Sequence, residues 1–541
     1  MILKKKSLLF SHKSNKTLLT FLANKNEGTM FKKLLIVAIA AIWLFSPQVK
    51  AQSAAQMLAA QQKYNFISIP NQSSAFVRMP MRGASIETDA VFHNPAGTAR
   101  FADGWHLSLN NQALRQKSLI ESSYQYYNTN PTEFEGTVSS PIFPSVYLGY
   151  KKNRLAISLG INPIAGGGGA TFAGLPVVER NTADIIPNLN YAINLTLVDS
   201  TKYKEAMQGY RLDYNSEGLA LFLSSQINMA YQLNDMLSFS LGVRYVYGQV
   251  GFKGHTRDIQ INVPDYGGWQ SPDEYIYYLR DNAEWTTGFS GGLLNTTAEG
   301  LRDSTGTRLI DVMQRGNGFT PIVGLHFSPN EKLNIGIKYE HKTAIEMRTT
   351  VNDGKDGRSL QADDITPVED AVPLFIDGSA EGSDLPAVLA GGITYQVLPK
   401  LKLAFGGRYA FVKQADYGGR DTLVNKNYYE IQSALEFQLT EDLLLSGGYT
   451  YGNWNVQPEF QTDVDYWLDS HTIAIGAKYK LSEHIHFNIG MLNTTFKSEE
   501  YEGTHTPIDA GLFQVASSAT TTKYEKNAMV FAIGADIRLG K

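Results

Sequence analysis

Ser238-Phe239-Ser240-Leu241-Gly242-Val243-Arg244-Tyr245-Val246-Tyr247-Gly248 decides the fold. Side chains of a strand point alternately to its two faces. Phe239, Leu241, Val243, Tyr245 and Tyr247 therefore share one face, and Ser238, Ser240, Gly242, Arg244 and Gly248 the other, with Val246 the one apolar exception. The stretch has the length of a tilted membrane-crossing strand, about 9–11 residues. One apolar and one polar face is what a wall needs with lipid outside and water or side chains inside. The same phase recurs in Leu333, Ile335, Ile337 and Tyr339, in Leu401, Leu403, Phe405 and Tyr409, and in Ile473, Ile475 and Tyr479. It returns in Ile485, Phe487 and Ile489, and in Met529, Phe531, Ile533 and Ile537.

The connections strengthen this reading. Tight links at Lys151–Arg154, Leu233–Asp235, Pro329–Glu331, Leu398–Lys400, Thr440–Asp442 and Leu481–Glu483 alternate with long polar segments near 123–140, 163–214, 261–316, 351–384, 416–426, 455–466 and 497–524. Six tight turns and seven long loops join fourteen strands. Outer-membrane barrels have an even number of antiparallel strands, short periplasmic turns and long extracellular loops. The sequence thus predicts an all-β chain forming a transmembrane antiparallel β-barrel of about 14 strands, with both ends of the barrel facing the periplasm. A soluble sandwich also alternates apolar and polar residues, but it gives no reason for strict alternation of short and long links. The C-terminus, Ile537-Arg538-Leu539-Gly540-Lys541, lacks a terminal phenylalanine while keeping the alternation.

Composition fits an exported barrel. The uncharged apolar run Leu34–Phe45 is about half the roughly 20 residues of a spanning helix. It follows Met30-Phe31-Lys32-Lys33 and precedes Val49-Lys50-Ala51, the charged, apolar and small-residue parts of a secretory signal. Residues 1–51 read as a signal peptide cleaved after Ala51, with Met30 the expected true start. The chain has 48 basic and 52 acidic side chains; without residues 1–51, which hold 9 Lys and 1 Glu, 39 and 51 are left, a net of −12. Such a charge disfavours nucleic acid as a partner. No cysteine is present, so disulfides cannot brace the fold, whereas the closed ladder of a barrel can. The barrel proper is expected over 105–541.

Residues 52–104 do not alternate. Within them Arg82-Gly83-Ala84-Ser85-Ile86-Glu87-Thr88-Asp89-Ala90-Val91-Phe92-His93-Asn94-Pro95-Ala96-Gly97 resembles the N-terminal hatch of the FadL/TodX family of outer-membrane transporters for long-chain fatty acids and aromatic hydrocarbons, with Asn94-Pro95-Ala96 matching that family's NPA motif. Pro95 removes a donor and biases Asn94 away from the helical region, giving a stiff bend suited to a plug. The resemblance spans 52–541 and includes the hairpin Gln226–Gly248 and the strand Ile337-Lys338-Tyr339-Glu340. It implies a hatch over 52–104 inside the lumen and a kinked third strand that opens the barrel wall. Gly160-Ile161-Asn162-Pro163, followed by Gly166-Gly167-Gly168-Gly169, ends the third expected strand. A proline and glycine run breaks a ladder, so Gly160, Asn162, Pro163 and Gly166 mark either such a kink or a flexible loop start.

The resemblance further implies passive uptake of hydrophobic compounds by loop capture, hatch movement and lateral exit. Trp269, Tyr277, Trp285 and Phe289 in the third loop, and Leu374 and Phe375 in the fourth, could catch a lipid tail or pack the loops together. A carboxylate head group in an apolar lumen needs a cation. Arg244, Lys338 and Arg408, on the polar faces of strands five, seven and nine, are the candidates, and the alternative is pairing with lumen acids such as Glu340, Glu430, Glu436 or Asp536. Gly288-Phe289-Ser290-Gly291-Gly292 fits G-x-S-x-G, but that motif needs a strand before it and a helix after it. The pattern suggests neither, so the stretch reads as loop. His484 and His486 share a face without a third metal ligand nearby in sequence.

No enzyme, metal or cofactor is expected. The partners are a hydrophobic small molecule, such as a fatty acid or aromatic hydrocarbon, and outer-membrane lipid and lipopolysaccharide. The competing function is an adhesin, receptor or structural barrel with no transport role. Because the signal elements end at Ala51, Edman sequencing of the membrane-inserted protein should begin near Gln52, and a mature chain that keeps Leu34–Phe45 would refute the cleavage.

Overall fold

The computed structural model describes residues 73–204, 206–284, 290–352, 377–507 and 515–539. The expected signal peptide over 1–51, the start at Met30 and the first part of the 52–104 segment lie outside the described residues. Fourteen antiparallel strands run in chain order around a closed barrel. They are β1 Gly104–Ser123, β2 Thr132–Lys152, β3 Leu155–Phe172, β4 Gly209–Gln232, β5 Leu237–Val263 and β6 Arg308–Asn330. After them come β7 Leu333–Glu340 continued by Glu346–Val351, β8 Ala380–Gly382 leading into Val388–Leu398, and β9 Leu401–Ala410. The circuit ends with β10 Tyr428–Gln438, β11 Leu443–Asn453, β12 Ser470–Lys480, β13 Ile485–Phe496 continued by Glu499–His505, and β14 Ser518–Leu539. Each strand pairs with its neighbour, and β1 closes the ring on β14 from Trp105↔Leu539 to Ser123↔Thr521. Among the described residues no helix is long and apolar enough to cross a membrane.

Closure follows from the solvent. In hydrocarbon every backbone N–H and C=O must find a partner within the protein, which only a helix or an edgeless barrel provides. All six short turns fall where the alternation breaks, for example Asn153-Arg154 between β2 and β3. The phase is as expected. Val243 is 41% exposed and Ile473 64%, whereas Arg244 is 3% exposed. Rings gather at both edges of the apolar band, Trp105 against Tyr150 near the turns and Tyr245 against Phe319 at the far edge, the amphipathic girdles of such barrels.

On the far side from the short turns the wall rises well above that band. β5 is 27 residues long, more than twice what a membrane crossing needs. Several segments expected as loops are therefore wall: β3 runs on to Phe172, β4 begins at Gly209, and β14 begins at Ser518. The upper exposed faces are polar and paired across strands, as in Lys253 with Asp311 and Arg257 with Asp213. Such faces suit water, and an apolar-periodicity criterion cannot recognise them as strand. The true loops carry helices Pro176–Ala183, Ile185–Thr196, Pro272–Asn282 and Ser290–Thr305. Their apolar sides, including Leu189, Ile193, Tyr275, Ile276 and Leu279, pack on one another.

The lipid-facing phase has a simple consequence. Val243→Arg should weaken folding into bilayers by about 2–4 kcal/mol at mid-depth, measured by denaturant unfolding in vesicles. Ser240→Ala, which trims an inward hydroxyl without a hydrogen-bond partner, should leave assembly unchanged.

Candidate functional site: the lumen and its inserted segment

Residues 73–103 lie inside the ring of strands. The short helix Ser74–Arg78 packs against β11 to β14 and β1, and the turn Pro95–Arg100 against β2 to β6. Burial of Ala75, Phe76, Val77, Met79, Met81, Val91, Phe92 and Ala96 follows. Ser73 caps the helix by accepting from the Phe76 amide, which satisfies one of the orphan donors of a helix start.

At Asn94-Pro95-Ala96 the chain passes from extended backbone into a 3-10 turn. Asn94 is extended, and its Oδ1 accepts from the Ala96 amide at 3.3 Å, so it caps the 3-10 turn that Pro95 opens. Proline suits that first position, where its missing N–H would be unpaired anyway. The Asn94 amide also donates to the Leu325 carbonyl of β6 at 2.9 Å, tying the bend to the wall. Gln226 and Asn228 of β4 donate to the Val91 carbonyl, and Ser238 of β5 donates to that of Ala96.

Two arginines that sequence reasoning did not single out hold the other half. Arg82 forks onto Asp89 at 2.6 and 2.7 Å and reaches Glu87, stiffening the segment's own loop. Arg78, fully buried, donates to Glu436 of β10 at 2.6 Å, to Asn488 of β13 at 2.9 Å and to Glu87 at 3.3 Å. Lys478 of β12 adds a bridge to Glu87 at 2.7 Å, and Lys402 of β9 pairs with Glu436. Burial pushes the Glu87 carboxyl up, but Lys478, Arg82 and Arg78 around it prevail and hold it well below the usual carboxylate range. Arg78 also donates to the Ser446 hydroxyl of β11 at 3.2 Å, and the five donors of a planar guanidinium let one side chain serve these four acceptors. The available signal was charged residues within an otherwise small and apolar stretch, which buried positions seldom carry unless paired.

Between this segment and the wall lies a cavity of about 100 Å³, lined by Phe76, Phe92 and His93 from the segment and by Ile164, Leu385 and Val388 from the wall. Arg244, Lys338 and Arg408 all border it. Each is already matched. Arg244 forks onto Glu340 at 2.7 and 2.9 Å and lies over the Phe92 ring, Lys338 bonds Glu340 and the Phe92 carbonyl, and Arg408 meets Glu430 at 2.6 Å. The pairing alternative therefore describes all three in this conformation. Two cations nonetheless share the single carboxylate of Glu340. Glu436 is likewise paired, whereas Asp536 accepts from the Asn488 amide.

The third strand is interrupted, but not where all four named residues stand. Gly160 is paired on both sides, to Tyr147 and to Gln226. Beyond Val146↔Ile161 the ladder between β2 and β3 stops and resumes only at Ser139↔Gly169. Pro141, Pro144 and Pro163 stand in this gap without donors. On the other side the run from Asn162 through Gly166 keeps its ladder with β4, with bulges between Pro163 and Ala165 and between Gly166 and Gly168. Towards β2 the run leaves its ladder open, and towards β4 bulges absorb the irregularity. Ile164 points from this stretch to the cavity and to Phe92 and Tyr147.

Of the expected capture residues, Trp269 is 42% exposed and stacks on Arg211, and Tyr277 lies on a loop helix beneath Arg280 and Arg302. Trp285, Phe289, Leu374 and Phe375 lie outside the described residues. The loop reading of the G-x-S-x-G stretch is corrected in part: Ser290 opens a helix, Ser290–Thr305. Among the described residues no cluster of His, Asp and Glu fits a metal.

A closed 14-strand barrel with an apolar outer band and girdles is an integral outer-membrane protein. The family model described as outer membrane protein transport protein (OMPP1/FadL/TodX) matches residues 200–538. The chain belongs to this family of transport channels. Similar solved structures include a Pseudomonas aeruginosa FadL homologue, 13% identical with a TM-score of 0.55, covering 87% of this chain and 99% of that one. A TodX monoaromatic hydrocarbon channel deltaS2 mutant is 11% identical with a TM-score of 0.51, covering 87% and 99%. Both share the fold. No curated protein matches the sequence.

Removing one partner of a buried pair costs about 3–5 kcal/mol. Arg78→Ala should therefore loosen the inserted segment without opening the barrel. Limited proteolysis should then cut within 73–103 while the barrel keeps its compact, heat-modifiable mobility on gels.

Proposed function

We propose that this chain is a passive channel for hydrophobic compounds that carry a small polar head, long-chain fatty acids foremost, with residues 73–103 as its hatch. The observation that carries the reading is the cavity between segment and wall, apolar on most sides, bordered by Arg244, Lys338 and Arg408, and reaching Ile164 beside the interrupted ladder. Two cations on one carboxylate leave a share of positive charge for a second carboxylate, which a neutral hydrocarbon would not use. The cavity is smaller than the about 150 Å³ that holds benzene, so it takes a head group or a short chain. A longer tail then requires the segment to shift, and the gap between β2 and β3 offers a lateral way out where no ladder has to be broken. Exposed Trp269 above suits the first capture of a tail, and the girdled outer surface suits outer-membrane lipid and lipopolysaccharide. Export with removal of residues 1–51 completes the reading.

Deleting residues 73–100 should leave the fourteen strands able to close, since none of them uses that segment for its ladder. Single-channel conductance in planar bilayers should rise well above wild type, while saturable oleate uptake by cells should fall. Arg408→Ala should lower uptake of oleate several-fold and that of toluene little. Unchanged uptake of both compounds on removal of the whole protein, with loss of surface binding, would favour a receptor instead.

A further inference from the structure

Where the wall faces residues 74–94, the inward residue at one level is a glycine on strand after strand. Gly324 of β6, Gly336 of β7, Gly392 of β8 and Gly406 of β9 are followed, after Ala434 of β10, by Gly448 of β11, Gly476 of β12, Gly490 of β13 and Gly534 of β14. Gly336, Gly392 and Gly406 are cross-strand partners, as are Ala434 with Gly448 and Gly476 with Gly490. Elsewhere the series steps two residues toward the short turns. Gly324 faces Lys338 rather than Gly336, Gly406 faces Gln432 rather than Ala434, Gly448 faces Ala474 rather than Gly476, and Gly490 faces Ala532 rather than Gly534. Steps in one constant sense are what a ring level with the membrane requires in tilted strands.

The inserted segment lies against this ring, with main chain at Gly336 and Gly490 and with side chains such as Asn94, Met81, Pro80 and Ser74 at Gly324, Gly392, Gly448 and Gly534. A Cβ at Gly490 would sit 2.5 Å from the Arg78 amide nitrogen and 2.9 Å from its Cα, touching nothing of the wall more closely. One at Gly336 would run into the Gly83 carbonyl and come 2.5 Å from the Asn94 amide, and one at Gly448 would lie 2.7 Å from the Pro80 ring. Above and below the ring the inward positions carry side chains, such as Leu492 and Asn488 beside Gly490, and Thr450 and Ser446 beside Gly448. Glycine weakens a strand and is found in strands where another backbone approaches closely.

We infer that these glycines are positioning residues for the closed channel: together they form a level seat that fixes the height of the segment and sets how tightly it seals against the wall. The inference rests on the reading of the segment as hatch. It goes beyond that reading by assigning the seal to close approach of the segment to the glycines of β6 to β14, main chain against main chain at Gly336 and Gly490, and by excluding sliding of the segment along the barrel axis while it is seated.

The test is one methyl group at a time. Gly490→Ala and Gly336→Ala should fold to barrels of normal heat-modifiable mobility, yet conduct several-fold more than wild type in planar bilayers. Gly447→Ala, on the same kind of strand but facing outward with ordinary contacts, should conduct as wild type. Gly392→Ala meets the free end of the Met81 side chain, which can swing aside, so it should leak less than Gly490→Ala. In a protein already lacking residues 73–100, Gly490→Ala should add nothing. If Gly490→Ala and Gly336→Ala fold and stay as tight as wild type while the deletion leaks, the seat is overturned and the hatch stands. If the deletion does not leak either, the hatch itself is overturned. If Gly490→Ala fails to assemble even without residues 73–100, its glycine serves the wall, and the inference falls.

Discussion

The constraint on which the structure depends is that backbone polar groups in hydrocarbon have no water to bond. It forces the strands into a ring without edges, β1 on β14, and it fixes which face of every strand is apolar. A ring of fourteen strands is too wide for its own side chains to fill; eight strands are about the limit of self-filling. The lumen is therefore open to solvent or must be occupied. Here residues 73–103 occupy it, and they bring their own unpaired backbone groups, which wall side chains such as Gln226, Asn228 and Ser238 then satisfy. Polar inward faces thus serve the segment rather than bulk water.

The same argument explains the charges. A buried ion without a partner costs several kcal/mol, so Arg78, Arg82, Arg244, Lys338 and Arg408 are interlocked with acids, and Lys526 bonds the Tyr466 carbonyl. Arg78 joins four acceptors from the segment and three strands, and Arg244 and Lys338 converge on Glu340. Close pairing brings specificity of position, because a forked guanidinium accepts only a narrow range of geometries. It also means that a cation bordering the cavity is not a waiting empty site. A ligand carboxylate has to share or displace a protein acid, and sharing is easiest where two cations meet one carboxylate.

The ladder between β2 and β3 is the place where the constraint is relaxed. Three prolines lacking donors stand opposite one another, and β3 keeps its register with β4 through two bulges. Phe143, Tyr147 and Asn162, in or beside the gap, are buried. The gap lies on the side of the lumen where the bend at Asn94 is tied by neutral hydrogen bonds, away from the ionic clasp around Arg78. The two halves of the inserted segment are thus held by different forces, charge at one end and backbone carbonyls accepting from side chains at the other.

The sequence by itself determined the barrel, the number of strands, the six short turns and the lipid-facing phase, because period-2 alternation is imposed locally by the solvent on each side of the wall. It also marked Asn94-Pro95-Ala96 as a bend, since proline acts on its immediate neighbours. It did not reveal the upper half of the wall, where the outward face is polar while buried apolar side chains such as Leu114, Val250 and Tyr524 line the inside, and it offered Glu340 and Glu430 among several acids without saying which of them Arg244 and Arg408 reach across strands. Gly160 shows the limit well: its composition resembled that of the interruption, but its pairing is intact, because whether a glycine run breaks a ladder depends on the strand beside it. The clasp of Arg78 on Glu436, 358 residues away, and the level row of glycines under the segment exist only once strand register is fixed. Register across fourteen strands is a property of closure, and no window of sequence contains it.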